Sequence, residues 1–479
     1  MIQIQLFDPA YQYDVHALVK AFYPEEDVQF TEEYDADFPV ITIGFAEEKF
    51  LLTWADPKRS VTKETPDLSG IDAAERKRFL ARALYTLLSE ISGRSLPWGT
   101  LTGIRPTKIA MKLLEEGRSE EEIAAHMRDT YFTSAEKISL SVKIAGLERS
   151  ILTHLHGTDG YSLYVGIPFC PTRCMYCSFT SYPLDAFSDL VDTYLDRLEQ
   201  EMALTAELFS DKVLDTVYIG GGTPTTLSPH QMRRLDEMLR KYFDFSSVAE
   251  YTMEAGRPDS ISEEKLLAMK EAGIGRISVN PQTMHEDTLK LIGRKHSVKQ
   301  VIEAFYLARE SGFDNINMDL ILGLPGEDEE MVAETFSKIA ELGPDSLTVH
   351  SMAIKRAAAM QTFLKAHPEI KSVNTQEMMD LGAACAKKMG MKPYYLYRQK
   401  NMAGNFENVG YAKEGKYGLY NILIMEEVQS IAAIGAGTIS KKVEENGLIT
   451  RYANPKDVHL YLSQIEEILK KKRIFYTDQ

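Results

Sequence analysis

The apolar positions of this chain change rhythm along its length. Within residues 1–95, "PVITIGF" and "KFLLTW" alternate or run apolar as strands do, while "DAAERKRFLARALYTLLSEI" carries apolar residues at helical spacing. "GRSLPWGTLTGIRPTK" then supplies Gly and Pro punctuation. From Lys108 to His156 the pattern is helical, broken near "EEGRSEEE". From Ser162 onward short apolar, β-branched runs ("SLYVGI", "VLDTVYIGG", "AEYTMEA", "RISVN", "NINMDLILGLPG", "SLTVHSM") alternate with amphipathic stretches such as "SPHQMRRLDEMLRKYF" and "SISEEKLLAMKEAG". Strand-helix alternation of this kind predicts parallel strands with right-handed crossovers. The expected fold class is α/β, with a partial (β/α)6 TIM-like barrel whose chemistry sits on the loops after strand C-termini. Later segments mix a helix, "NTQEMMDLGAACAKKMG", with an aromatic, glycine-dotted run, a second glycine turn in "IAAIGAGTISKK" and a final helix around "DVHLYLSQIEEILKKK". The expected organisation is a small α/β unit over 1–95, a helical linker or subdomain over 96–158, the barrel over 159–355 and a C-terminal cap over 356–479.

Composition narrows the class. With 44% apolar and 26% charged residues the chain is globular, and 479 residues suffice for about three ordinary domains or one large barrel with additions. A net charge of −16 disfavours a general binder of phosphate backbones, so no nucleic-acid partner is expected. The helical stretch after Lys108 accordingly reads as structural, not as a DNA-reading helix pair. The start, "MIQIQLFDPAYQYDVH", lacks a basic region followed by an apolar core, and no apolar run is long enough for a membrane span. Four cysteines grouped three and one do not form a disulfide framework. A reducing, cytoplasmic location is expected.

The three grouped cysteines, Cys170, Cys174 and Cys177, lie in "LYVGIPFCPTRCMYCSFTSYP" at C-x3-C-x2-C. A structural zinc site wants four N or S ligands, which here would require Cys385 or a stray histidine. Haem attachment through C-x-x-C-H fails because Ser178 follows Cys177, and a dithiol redox pair leaves Cys170 without a purpose. A [4Fe–4S] cluster takes one thiolate per iron, so three cysteines on one loop leave the fourth iron open to another ligand. At the end of the next strand, "YIGGGTPT" is either a tight turn or a place where backbone groups approach a ligand closely.

In order along the chain stand Y-x-x-I-P-F-C-x3-C-x2-C, G-G-G-T-P-T, "EAGRPDSI", "SVNPQ", "GRKH" and "MDLILGLPGE". This set resembles the radical S-adenosylmethionine (SAM) enzymes of the oxygen-independent coproporphyrinogen III oxidase family. The likeness covers roughly residues 160 to 440, and "LPWGTLTGIRPTK" and "NILIMEE" look most like its HemZ-like branch. The resemblance implies a barrel of radical SAM type with a HemN-like cap. It implies Cys170, Cys174 and Cys177 as ligands of a [4Fe–4S] cluster. Tyr164, Gly221 and Glu254 match contacts to the S-adenosylmethionine that chelates the open iron. Tyr176, Gly222, Thr223, Gln282, Arg294, Asp319 and Ala353 match positions around a second S-adenosylmethionine, and the "GAGTIS" turn with Ile439 aligns with a segment that closes over the cofactor. The residues suit these roles: Glu254 and Asp319 can accept from an ammonium or from ribose hydroxyls, Gln282 can both donate and accept, and Arg294 can pair with a carboxylate.

The implied reaction begins with cleavage of S-adenosylmethionine by the reduced cluster to methionine and a 5′-deoxyadenosyl radical. The radical removes hydrogen from a porphyrinogen propionate, which loses CO2 to become vinyl, converting coproporphyrinogen III to protoporphyrinogen IX in haem biosynthesis. The protein's share is positioning and exclusion of water and oxygen, with no catalytic side chain expected beyond the cluster and cofactor. The partners implied are a tetrapyrrole substrate and a low-potential electron donor. Candidate propionate-binding cations are Arg257, Lys355, Arg356, Arg398 and Lys400, and "KPYYLYRQKN" is either a tetrapyrrole-stacking or a packing segment. Two positions depart from the established oxidases: Phe179 stands where they carry a fourth cysteine, and Gly166 where they carry histidine. Relatives without that cysteine include a haem chaperone and haem-degrading methyltransferases, so haem delivery and haem modification are the alternatives. His350, His367 and His459 are the late-chain histidines available to ligate haem.

Overall fold

The computed structural model describes residues 1–103, 105–353, 359–398 and 406–477. Lys355, Arg356 and Lys400 fall outside the described residues. The chain divides into two compact units, Met1–Gly146 with Leu396–Asn408, and Leu147–Tyr395 with Val409–Gln479.

The first unit carries strands β1 (Ile2–Leu6), β2 (Val28–Phe30), β3 (Val40–Ala46), β4 (Lys49–Asp56) and β5 (Arg59–Glu64) in the order β2-β1-β3-β4-β5. The apolar alternation of "VITIGFA" and "KFLLTWAD" makes β3 and β4 an antiparallel hairpin, turned at Glu47 and Glu48. Helices Gln12–Phe22 and Ala73–Ser92 supply Phe22, Leu84 and Leu88 to a core completed by Phe50 and Leu52. The helical stretch that follows is three helices, Thr107–Glu115, Glu120–Tyr131 and Ala135–Leu152. Its break comes from Gly117 at φ 77° and from Ser119, which caps the next helix reciprocally with Glu122. Two late residues belong to this unit through polar contacts. Glu407 accepts from Trp98 Nε1 (2.7 Å) and Lys137 Nζ (2.8 Å), and the buried Arg398 donates to the Leu101 carbonyl. Arg398, expected as a propionate cation, is thus committed to a backbone carbonyl.

The second unit is built on strands β6 (Gly160–Ile167), the short β7 (Phe169–Cys170) and β8 (Tyr182–Pro183), β9 (Val213–Gly221), β10 (Glu250–Gly256), β11 (Arg276–Val279), β12 (Ile316–Leu322) and β13 (Ser346–Ser351). The neighbours β6-β9-β10-β11-β12-β13 all pair in parallel, as expected for a partial (β/α)6 barrel. Crossover helices begin with clear stop-start chemistry. Ser228 and Ser297 form reciprocal caps with Gln231 and Gln300, and Asp328 caps the helix Glu329–Leu342.

The residues after the barrel add strands at both of its edges. Strands β14 (Lys392–Tyr397) and β15 (Asn408–Ala412) lie beyond β13, with β15 antiparallel to it. On the other side β16 (Ser430–Ile434) runs parallel to β6, followed by the antiparallel β17 (Ile439–Val443) and β18 (Ile449–Ala453). The final helical pattern is two pieces, Val458–Ser463 and Ile465–Thr477. Among the described residues no helix is long and apolar enough to cross a membrane.

Candidate active site at the C-terminal ends of the barrel strands

The cysteine loop leaves β6 and is tied down at several points. Tyr182 N donates to the Pro168 carbonyl (2.8 Å), Met175 N to Ile292 (3.0 Å) and Cys177 N to Cys174 (3.1 Å). Arg257 holds the loop from below: its Nη1 donates to Thr172 Oγ1 (2.6 Å) and to the Thr172 carbonyl (3.1 Å). The same guanidinium grips both oxygens of Asp259, at 2.9 and 2.6 Å. Arg257, expected to bind a propionate, is therefore a strut for the cysteine loop. The three thiols are half-buried and free, whereas Cys385 is buried on the helix Gln376–Lys388 with its Sγ on the Phe336 carbonyl. Among the described residues no three His, Cys, Asp or Glu side chains converge on one ion. Thiolates that each take a different iron of a cube have no need to converge.

The glycine turn meets the loop backbone to backbone. Gly222 N donates to the Ile167 carbonyl (2.8 Å) and Thr223 N to Phe169 (2.7 Å), while Thr223 Oγ1 lies 3.5 Å from Cys170 Sγ. A Cβ on Gly222 would stand 2.6 Å from the Phe169 oxygen and 3.0 Å from Cys170 Sγ, so only glycine fits there. Gly221 holds φ at 110°, a conformation side chains avoid. The first glycine, Gly220, was not singled out by sequence, yet a Cβ there would lie 3.0 Å from the Glu254 carboxyl carbon and 2.9 Å from the Tyr218 ring. Its missing side chain is the space that the Glu254 carboxylate fills.

Glu254 and Asp319 sit inside β10 and β12. Burial pushes the Glu254 carboxyl up to about 7, against hydrogen bonds from Tyr218 and the Gly221 backbone, and the nearby charge of Asp319 pushes in the same direction as burial. Asp319 goes the other way. Burial would raise it, but His350, Asn317 and Thr348 hold it below the usual carboxylate range. Asn317 Nδ2 is 2.7 Å from Asp319 Oδ1, and His350 Nε2 is 3.9 Å from Oδ2. His350 thus stands in the barrel mouth, while His367 pairs with Glu369 in an exposed position and His459 is also exposed.

The strand β11 leads to the third side of the site. Gln282 adopts φ 70°, its N–H donating to the Asp319 carbonyl (3.0 Å) and its carbonyl accepting from Ile321 (3.0 Å). Arg294 is buried, with Nε 3.3 Å from Tyr176 Oη and Nη1 on the Asn280 carbonyl. Tyr164 stacks on Tyr218 at 5.9 Å. Ala353 follows β13 and is half-buried, and Ile439 opens β17 opposite Ala453 with its side chain 52% exposed. The "GAGTIS" turn packs on the cysteine loop instead through Gly437, where a Cβ would meet Thr180 Oγ1 at 2.6 Å. Sequence reasoning missed Tyr218 and Tyr420. Period-two alternation with Gly220 would have found Tyr218, but nothing local marks Tyr420.

Three buried polar oxygens in a row, Ser278 Oγ, Asn280 Oδ1 and Gln282 Oε1, have no hydrogen-bond partner among the described residues. Each such group costs about 1–3 kcal/mol unless something donates to it. A ligand bearing an ammonium, ribose hydroxyls and an adenine amine supplies such donors, so the residues fit the cofactor that the fold implies.

The radical SAM superfamily profile matches residues 164–339. The chain is 39% identical over 475 residues to the oxygen-independent coproporphyrinogen-III oxidase-like protein HemZ of Bacillus subtilis (strain 168), covering 96% of this chain and 94% of that one. It belongs to the HemZ-like branch of the radical SAM superfamily. It is also 41% identical over 195 residues to the heme chaperone HemW of the same organism, covering 40% of this chain and 51% of the relative. Among solved structures it resembles the coproporphyrinogen III oxidase HemN of Escherichia coli, described as a radical SAM enzyme, with a TM-score of 0.52 and 25% identity over 67% of this chain and 73% of that one. Radical SAM proteins use a [4Fe–4S] cluster and S-adenosylmethionine, and these are the cofactors of this HemZ-like protein.

Proposed function

We propose that this protein catalyses oxygen-independent oxidative decarboxylation of the propionates of coproporphyrinogen III, giving protoporphyrinogen IX. The observation that carries the reading is the meeting, around the barrel mouth, of three thiols, a glycine turn and two differently tuned carboxylates, in a chain similar along nearly its whole length to an oxidase-like protein. The bound cluster and S-adenosylmethionine supply one-electron cleavage and hydrogen-atom abstraction, with electrons from a low-potential donor. Cys170, Cys174 and Cys177 would hold the cluster. Glu254 and the Gly221 backbone would receive the ammonium of S-adenosylmethionine, with Tyr164 beside it. Gln282, Asp319, Arg294, Tyr176, Gly222, Thr223 and Ala353 would line the remaining cofactor space, including room for a second S-adenosylmethionine.

A second reading is haem delivery, favoured by the likeness to HemW and by His350 standing beside Asp319 in the barrel mouth. One experiment separates the two. The protein is incubated anaerobically with coproporphyrinogen III, S-adenosylmethionine, reductant and an electron acceptor, and the porphyrins are separated by chromatography. Mono-vinyl and divinyl products, absent with Cys177→Ala, support the oxidase. Untouched substrate with tight stoichiometric haem binding, lost in His350→Ala, supports delivery, and methylated or ring-opened haem would indicate a haem-modifying enzyme.

A further inference from the structure

Near the glycine turn three tyrosine rings pack against one another in a triangle. Tyr164 from β6 lies 5.9 Å from Tyr218 of β9 and 5.9 Å from Tyr420, and Tyr218 lies 4.5 Å from Tyr420, with interplanar angles of 13°, 25° and 24°. Tyr420 does not come from the barrel. It sits in the helix Leu419–Glu426, whose first amides, Leu419 N and Tyr420 N, donate to the buried carboxylate of Glu250 at 2.7 and 3.2 Å. The late segment therefore drives a ring into the barrel and anchors it on β10, the strand that also carries Glu254. From this cluster Tyr218 Oη donates to Glu254 Oε1 at 2.7 Å.

We propose that Tyr218, packed against both Tyr164 and Tyr420, is the positioning residue of Glu254. It fixes the carboxylate over the gap left by Gly220 and favours the ionised form that receives a cationic amine. The inference rests on the reading of Glu254 as the acceptor for the S-adenosylmethionine ammonium. A phenol that donates to a carboxylate stabilises the charged form, and a charge-assisted O–H···O bond is stronger than a neutral one. Burial pushes the phenols of Tyr164, Tyr218 and Tyr420 up, so Tyr218 keeps its proton and remains a donor throughout the working range.

The other groups around Glu254 give it little help. Asp319 on β12 opposes its ionisation and is itself compensated by His350 on β13. Strand β11 places the uncharged Ser278 opposite Glu254 and directs Arg276 toward Glu250. Tyr164 and Tyr420 face it as neutral rings, and among the described residues the Gly221 N–H on β9 is the further donor acting on it. Tyr218 is thus the side chain that offsets burial.

The test measures S-adenosylmethionine affinity against pH, by equilibrium dialysis, on the anaerobic protein with its cluster loaded and oxidised so that no cleavage occurs. Wild type, Tyr218→Phe, Tyr420→Leu and Glu254→Ala are compared, with circular dichroism reporting the fold. Tyr218→Phe keeps the ring and its packing and loses only the hydroxyl. It should bind about tenfold more weakly at pH 7, and the acid limb of its pH profile should move to higher pH. Tyr420→Leu should shift the limb in the same direction by less, and Glu254→Ala should abolish the limb. A Tyr218→Phe profile that coincides with wild type, or lies uniformly below it with an unmoved limb, overturns the positioning role. Wild-type binding that is unaffected by Glu254→Ala overturns the underlying reading of Glu254.

Discussion

Lys472 Nζ lies 2.8 Å from Glu201 Oε1, and both side chains are wholly buried. The pair joins the last helix to the first crossover helix, Val191–Leu208, and is fully partnered. Tyr461 Oη and Gly435 N donate to Glu201 Oε2 at 2.7 and 2.8 Å, Asn454 Nδ2 to Oε1 at 2.7 Å, and Lys472 also donates to the Ala433 carbonyl. Removing one member of a buried pair leaves an uncompensated charge, at a cost of about 3–5 kcal/mol. Lys472→Met should therefore unfold at clearly lower denaturant than wild type, while the double variant Glu201→Met/Lys472→Met should recover much of the loss. Chemical denaturation followed by fluorescence checks both.

Arg257, just after β10, grips Asp259 with two prongs and makes two further contacts to Thr172 in the cysteine loop. Lysine offers a point charge instead of a fork. Arg257→Lys should keep the fold but lose iron and sulfide faster on dilution or mild chelation, and Asp259→Asn should do the same. Retention equal to wild type in both variants would remove the strut from the account of the loop.

Only the cysteines of the loop are expected to hold the cluster. Cys170→Ala, Cys174→Ala and Cys177→Ala should each purify anaerobically with little iron or sulfide and without the visible absorption of a [4Fe–4S] centre. Cys385→Ala should load normally, since that thiol is buried against Phe336 in a different part of the unit.

The Glu254 carboxyl, pushed up to about 7 by burial, binds its proton more tightly folded than unfolded, where a glutamate titrates near 4.3. Its contribution to stability is fully present below the unfolded value and is lost as pH rises through about 7. The ligand-free protein should lose thermal stability from this group between about pH 5 and pH 8, and Glu254→Gln should flatten that part of the curve. Saturating S-adenosylmethionine should reverse the trend, because a cationic ligand favours the ionised carboxylate.

A Cβ on Gly166 would stand 2.4 Å from Thr438 Cγ2 and 3.3 Å from the Ile434 carbonyl. The histidine that established oxidases carry at this position has no space here unless the Gly435–Thr438 turn moves. Gly166→Ala should cost about 1–3 kcal/mol by overpacking. Thr438→Ser, which deletes the colliding methyl but keeps the hydroxyl that donates to the Gly435 carbonyl, should return part of that cost. Thermal melts of the two single variants and the double variant give the coupling directly.

The sequence by itself determined the features that are local. Alternation and β-branching marked the strands β6 and β9 to β13 of the barrel, amphipathic stretches marked its crossover helices, and the spacing of Cys170, Cys174 and Cys177 with the glycine run marked where the chemistry lies. These follow from side-chain period and backbone freedom, which a short window of residues contains. The tertiary structure decided what depends on partners distant in the chain. "SIAAI" reads as part of a glycine turn, yet becomes a parallel strand beside β6, because strand pairing is settled by the free edge it meets. Arg257 reads as an available cation until Asp259 and Thr172 consume its donors. Tyr420 carries no mark of its own, and acquires one only because Glu250 caps its helix and turns the ring onto Tyr218. Charge state and ring stacking depend on the neighbours that folding supplies, so they enter only with the assembled barrel.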